Sequence, residues 1–530
     1  SKKNENKRIL LVGKETYMYP FYYLIDEWSG KNEIATFWVN PMESELDECD
    51  LNSSTYYAFK RKGITKDYTL TKANEKFIKI CNDKINYEEL EALEKKYSHF
   101  KNINCQIISD QAMNGHYHYR TMNIPVTYEQ QLNWIMCLYE NIEEILDDFN
   151  PDYIFDCDTA ELPRNVLNEV AYHKNIPYIS IAYSKYELYK IPSYTLNIGV
   201  EEYFQREYNK CLQEADTEEE KKYVESFRVR KNIKNSIYMT KGNTTYCYKV
   251  EPLIDTLKDI YSKIVYFKRQ DSTKKNRLLK KQNPYVFVKS SNYLKFWIKS
   301  QFFRRKLYQS KDYFENPVDG EPYIYMPLHL IPESTTFNMA PFWINELSVI
   351  EAASKALPAG WRLYVKEHQA MLGERGEDFY KKVKKIPNVR LVRFNYYDDP
   401  KPWIEKSKAV ITITGTSAYE AALLGKQSFV LGDVPFSLIK GVTQVKNIEE
   451  LPALFKHCSY QKNIDECAAY IKAVKNVGEP FDLEYVMMSV YENLVLGKKL
   501  ESRFFEELNH INNFFSKAVH IIDEGIEEKA

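Results

Sequence analysis

The sequence predicts an α/β chain built from two doubly wound, Rossmann-like halves. Two observations carry this. Short, wholly apolar runs end in Gly, Asp or a polar cluster, as strands buried on both faces do. Between them lie stretches of helical periodicity, so strand and helix alternate, first over roughly 8–181 and again from about 322. A length of 530 residues also exceeds what one ordinary core holds.

In order along the chain, Arg8-Ile-Leu-Leu-Val-Gly13 reads as a strand, Phe21 to Trp28 as a helix and Ile34 to Val39 as a second strand. Residues 50–105 are polar and charged, and read as helices and loops. Thr127 to Phe149 places Trp134, Ile135, Leu138, Ile142 and Leu146 on one side of a helix. A strand at Pro151–Asp156, a helix at Leu162–His173 and a strand at Ile176–Ile181 complete the first half. From about 200 to 320 the alternation fails. A second α/β unit follows: strands begin at Pro322, Arg362, Val389, Ala409 and Ser428, with helices at 342–357, 376–385, 402–407 and 418–424. The tail reads as helices at 449–457, 463–475, 483–497 and 500–523. The expected division is 1–205, a helical insertion at 206–320, 321–445, and terminal helices at 446–530. Two Rossmann-like halves facing a cleft is the GT-B architecture.

Composition narrows the function. A formal net charge of −1 argues against a general nucleic-acid binder. The 43 tyrosines suit sugar stacking, although an A/T-rich genome enriches the same residue. Nine cysteines without a CxxC pair fit reduced thiols. Ser1–Arg8 leads into a strand and not into an apolar signal core, and no apolar run approaches the roughly 18–20 residues that span a bilayer. The expectation is a cytoplasmic protein, with room for peripheral attachment to the inner face of the plasma membrane. Between Lys263 and Lys311 stand 15 Lys or Arg against one acid, Asp271, interleaved with aromatics. That segment suits an anionic membrane surface, an acidic glycan or plain solvation.

Three strand ends of the second half carry chemistry. His329 and Glu333 follow the first, Lys366-Glu367-His368 the second, and Gly415-Thr416-Ser417, with Glu420 one turn on, the third. A strand, a tight glycine turn and an immediate helix gather unpaired amides, where a phosphate binds well. Lys366 or His368 would add positive charge, Glu420 would take a ribose, and His329 and Glu333 would orient the donor. In the first half, Asp156, Asp158 and Glu161 follow a strand. They read either as acids facing an acceptor or as an N-cap with an acid at its third position. His118 and Arg120 are weaker acceptor candidates. No metal-ligand set, P-loop or HExxH pattern is present.

Pro327-Leu-His329, Pro332-Glu333, Leu357 to His368, Ile386-Pro-Asn-Val and Ile413 to Lys426 together resemble the bacterial capsule polysaccharide biosynthesis family, which includes the Kdo transferases of capsule export. The resemblance spans 322–440. It implies a metal-independent GT-B glycosyltransferase that takes a nucleotide sugar, CMP-linked in the Kdo-transferring relatives, and an oligosaccharide or glycolipid acceptor, with no further cofactor. Where those relatives carry His-Pro, this chain has His368-Gln369. A CDP-glycerol or CDP-ribitol phosphotransferase and a non-catalytic glycan-binding partner of a capsule assembly complex are the alternatives.

Overall fold

The computed structural model describes residues 6–39, 55–110, 113, 124–158, 161–214, 216–234, 250–271, 285, 290–331 and 333–529. His118, Arg120 and much of the basic segment lie outside these residues.

The first sheet orders its strands β3-β2-β1-β4-β5-β6-β13. These are β1 Arg8–Gly13, β2 Glu33–Trp38, β3 Lys66–Thr69, β4 Tyr153–Asp156, β5 Tyr178–Tyr183, β6 Tyr189–Ser193 and β13 Glu479–Pro480. Strands β1 to β5 run parallel, whereas β6 and β13 are antiparallel additions. The second sheet, β9-β8-β7-β10-β11-β12, is parallel throughout. Its strands are β7 Tyr323–Pro327, β8 Arg362–Lys366, β9 Val389–Val392, β10 Ala409–Thr412, β11 Ser428–Val430 and β12 Val442–Gln444. Each sheet therefore has the 3-2-1-4-5-6 order of a doubly wound fold. The order reverses between β1 and β4 and again between β7 and β10, and the crevice at such a reversal is where ligands bind.

Sequence and structure agree on the central strands, because these are buried on both faces. Leu10, Leu11, Val12, Ile324, Met326, Val410 and Ile411 are fully inaccessible. Several elements differ from the expectation. Strand β3 lies within the polar stretch 50–105, β12 and β13 are short edge strands without an apolar signal, and β6 lies between β13 and β5. The helix expected over 342–357 begins only at Glu346, after a short helix Ser334–Met339 and a turn at Pro341–Trp343. The helix expected over Phe21–Trp28 splits into a 3-10 turn, Glu15–Phe21, which contains Pro20, and Leu24–Trp28. The region from about 200, where the alternation fails, opens with two helices, Glu202–Glu214 and Glu218–Val229.

The chain crosses between the halves twice. Helices Glu202–Glu214 and Glu218–Val229 pack with Ile464–Val477 against the second sheet, through Phe204, Tyr208, Val224, Tyr470 and Val474. Helices Leu483–Leu496 and Ser502–Lys529 return to cover the first sheet, where Phe504, Ile511 and Phe515 meet Ile9, Leu11 and Phe155. At the crossing, a Cβ on Gly199 would stand 1.9 Å from the Asp433 carbonyl oxygen, so this approach needs glycine. The Val200 amide donates to Asp433 Oδ1 at 3.1 Å. Asn165 Nδ2 donates to Asn338 Oδ1 at 3.2 Å. Both asparagines sit in helices that follow strand ends, so the C-terminal edges of the two sheets face one another.

Candidate active site in the cleft

The three polar strand ends of the second half follow β7, β8 and β10, which are adjacent in the sheet in the order β10-β7-β8. They form one continuous rim.

At its centre is the turn after β10. Thr412 Oγ1 accepts the Gly415 amide at 3.1 Å, and His329 Nε2 accepts the Thr414 amide at 3.2 Å. Accepting that bond places the ring proton of neutral His329 on Nδ1, which faces Glu346 Oε2 at 3.4 Å. A Cβ on Gly415 would lie 2.5 Å from Thr412 Oγ1 and 3.4 Å from His329 Nε2. The helix Thr416–Leu423 then starts without a side-chain cap. Its first-turn amides and the hydroxyls of exposed Thr416 and half-buried Ser417 front the cleft.

His329 is thus a brace. It is 6% exposed, its backbone amide donates to Glu346 Oε2 at 2.9 Å, and its carbonyl accepts from Arg375 Nη2 at 3.2 Å. Glu367, read from the sequence as a donor contact, also lies beneath the rim. It is 1% exposed and takes Arg375 Nε at 2.8 Å, Tyr380 Oη at 2.7 Å and the His368 amide at 2.7 Å. Arg375 Nη2 reaches Glu346 Oε1 at 2.9 Å, which closes a buried Glu346–Arg375–Glu367 triad. Arg375 favours ionised Glu346, which lies below the usual carboxylate range despite burial, whereas burial dominates at Glu367 and raises it.

Charge in the cleft comes from lysine, not from His368. Burial, and then the charge of Lys366, pushes His368 down to about 4, so at neutral pH it carries no charge. Its Nδ1 accepts the Ala370 amide at 3.1 Å. Lys366 is half-buried and lowered to about 8, first by burial and then by Lys234; Glu420, Asp399 and Glu367 oppose the shift. Glu420 is raised to about 7 by burial and by Asp399, with Lys366 and Lys185 pulling the other way. Lys185, from the turn after β5, holds a left-handed φ of 71° and approaches both Glu333 and Glu420 across the cleft. Glu333 caps the start of Ser334–Met339 with its backbone. Asp399 receives the Ile233 and Lys234 amides at 2.8 to 3.1 Å, which clamps that segment beside Lys366.

The opposite wall is the β1/β4 reversal. Asp156 is fully buried and binds Arg164 Nε at 2.8 Å, the Tyr178 hydroxyl and the Asp158 amide at 3.0 Å. Burial outweighs Arg164 and raises it to about 6. Asp158 is the accessible acid of the pair, its side chain 17% exposed, with Arg164 Nη1 at 3.4 Å. The helix starts at Leu162 with Glu161 as N-cap and no side-chain cap bond, so the capping-box alternative does not form. Glu161 has a φ of 92°, which a side-chain-bearing residue holds only where its surroundings impose it. Its carboxylate meets Lys14 Nζ at 2.5 Å. Tyr17 is raised to about 12 by burial and by nearby Asp158. Sequence reading passed over Lys14, Tyr17, Lys185 and the Glu346–Arg375 pair. Only Lys14 had a usable signal, its place directly after the Gly that ends β1.

No protein-family model matches the chain, and no curated protein matches it. Among solved structures it is similar to KpsC beta Kdo 2,7 transferase from Thermosulfurimonas dismutans, at 10% identity and TM-score 0.30 over 68% of this chain and 90% of that one. The beta Kdo 2,4 transferase of the same organism gives 12% identity and TM-score 0.32, over 65% and 87%. A UDP-GlcNAc 2-epimerase from Neisseria meningitidis bound to UDP-GlcNAc gives 12% and 0.20, over 93% and 100%. With similarity this low, the fold assignment rests on the strand order of the two sheets.

Proposed function

We propose that this protein is a GT-B glycosyltransferase that moves a sugar from a nucleotide-linked donor to a growing surface polysaccharide or glycolipid. The observation that carries this reading is the rim itself. Three adjacent strand ends bring an uncapped helix start, Lys366 and Glu420 together in a cleft between two doubly wound sheets. The donor phosphate sits on the Gly415-Thr416-Ser417 turn, and Lys366 and Lys185 oppose the charge that grows on the leaving nucleotide. Glu420 takes a ribose hydroxyl. The acceptor enters from the β4 side, where Asp158 accepts the proton of the attacking hydroxyl. Asp156 orients Arg164 beneath it.

Calorimetric titration with CMP, CDP, UDP and GDP tests the donor site; failure of all four to bind would remove the reading. Product analysis separates the sugar transferase from a CDP-polyol phosphotransferase, because only the latter leaves a phosphodiester in the product. Asp158→Asn is expected to lower kcat by about 10²- to 10⁴-fold, the range of a lost general base. Full turnover in that variant takes Asp158 out of the mechanism.

Nucleotide affinity should depend on pH in a definite direction. A bound phosphate favours protonated Lys366, so binding takes up a proton once the free lysine begins to lose its own. Affinity should therefore be steady below about 8 and fall as pH rises above it. Lys366→Met should abolish that dependence. A wild-type affinity flat from pH 7 to pH 10 would show that Lys366 does not meet the phosphate.

A further inference from the structure

Between the two halves the chain carries a pair of packed helices, Leu253–Asp271 and Ser290–Gln309. Lys263 Nζ lies 4.8 Å over the Trp297 ring, and Phe267 meets Tyr293 at 5.3 Å. The second helix is rooted in the sugar-donor half. Its Leu307 is fully buried in that core, and Phe303 packs on Tyr380. The pair is thus fixed at one end to the catalytic body.

The face of the first helix turned away from its partner is apolar and uncovered. Ile254 is 59% exposed, Leu257 47% and Tyr261 70%, at the 3- and 4-residue spacing of one helical stripe, with Leu253 beside them at 45%. Asp255 and Asp259 point to the opposite side of that helix by the same spacing. On the second helix, Lys295, Lys299 and Phe302 share one exposed face. That helix carries five Lys or Arg and no acid from Ser290 to Gln309. No helix among the described residues is long and apolar enough to cross a membrane.

We propose that this helix pair docks the protein on an anionic lipid surface, with Leu253, Ile254, Leu257 and Tyr261 entering the interface and Lys295 and Lys299 meeting the phosphate headgroups. Exposed aliphatic and aromatic side chains together with exposed lysines match the two demands of such a surface, apolar burial and negative charge. A second copy of this chain would bring the same lysines to the contact, whereas an anionic lipid surface takes both the apolar stripe and the positive charge. The proposal goes beyond the donor-site reading and does not depend on it. It moves the contact away from the basic run 263–311 as a whole and onto a stripe that begins ten residues before it.

Co-sedimentation of the full chain with vesicles tests it. Binding is expected to phosphatidylcholine vesicles doped with phosphatidylglycerol, and not to phosphatidylcholine alone. Leu257→Glu with Tyr261→Glu should reduce the bound fraction at least fivefold, and Lys295→Glu with Lys299→Glu should do the same. Both pairs are solvent-exposed, so thermal melting should be unchanged and CMP or UDP titration should read as in the wild type. Absence of binding to the acidic vesicles, or equal binding by both double variants, overturns the proposal. A Leu257→Glu, Tyr261→Glu chain that changes the oligomeric mass in light scattering without changing vesicle binding overturns it in favour of self-association.

Discussion

Gly415→Ala is expected to weaken nucleotide binding at least tenfold in a protein that still folds. The added Cβ would stand 2.5 Å from Thr412 Oγ1, closer than carbon and oxygen can approach. That hydroxyl is not free to move away, because it accepts the Gly415 amide and contacts His329 Nε2 at 3.2 Å. Relief must come from shifting the turn, and the turn is what aims the first amides of Thr416–Leu423 into the cleft. Overpacking of this kind destabilises by about 1–3 kcal/mol, which a fold of this size survives. A displaced anion cradle loses its aligned donors together, so at least a tenfold loss of affinity is expected by calorimetry for whichever of CMP, CDP, UDP or GDP binds the wild type. Thr416→Ala, which adds no bulk and keeps the backbone amide, should lose far less. Equal affinity in Gly415→Ala and wild type would mean that the phosphate sits elsewhere.

What the sequence disclosed and what it hid follow from how each residue is used. Strands β1, β4, β7, β8 and β10 are buried on both faces, so their apolar runs are continuous and readable. The edge strands β3, β12 and β13 contain Lys66-Asp-Tyr-Thr69, Val442-Thr-Gln444 and Glu479-Pro480, which carry no such pattern. The Gly415 turn was legible because a strand running through a Gly-Thr-Ser turn into a helix is a local pattern, and the close approach of Thr412 Oγ1 leaves no room for a side chain at its glycine. The roles of its neighbours were less so. Lys366 and Glu367 are adjacent at a strand end, and adjacent residues there face opposite ways: the lysine fronts the cleft and the glutamate turns under the sheet edge. A linear reading placed both at the donor. His368 looked like a cation, but only its buried surroundings reveal that it is neutral at pH 7. Arg375 stands in a loop with no motif around it, and its partners Glu346 and Glu367 lie on different elements.

Arg375 is where stability and the site meet, and Arg375→Met is expected to be the most destabilising single change in the second half. All three members of the Glu346–Arg375–Glu367 triad are buried, and removing the guanidinium leaves two carboxylates without their cation. Breaking a buried ion pair from one side costs about 3–5 kcal/mol, readable as a lower urea midpoint or Tm. Its pH dependence has a definite sign. In the wild type Glu346 is held below its usual value, so its contribution is present at neutral pH and fades as pH falls through that lowered pKa. In Arg375→Met the orphaned carboxylates are pushed upward by burial, so protonating them relieves the penalty. The stability gap between variant and wild type should therefore narrow from pH 7 to pH 5. A gap that stays constant would mean that lost packing, such as the guanidinium over Phe379 at 4.5 Å, dominates over charge. The same variant should bind nucleotide more weakly at temperatures where it remains folded. Arg375 donates to the His329 carbonyl and Glu346 accepts the His329 amide, so the triad fixes the histidine that fixes the Thr414 end of the Gly415 turn.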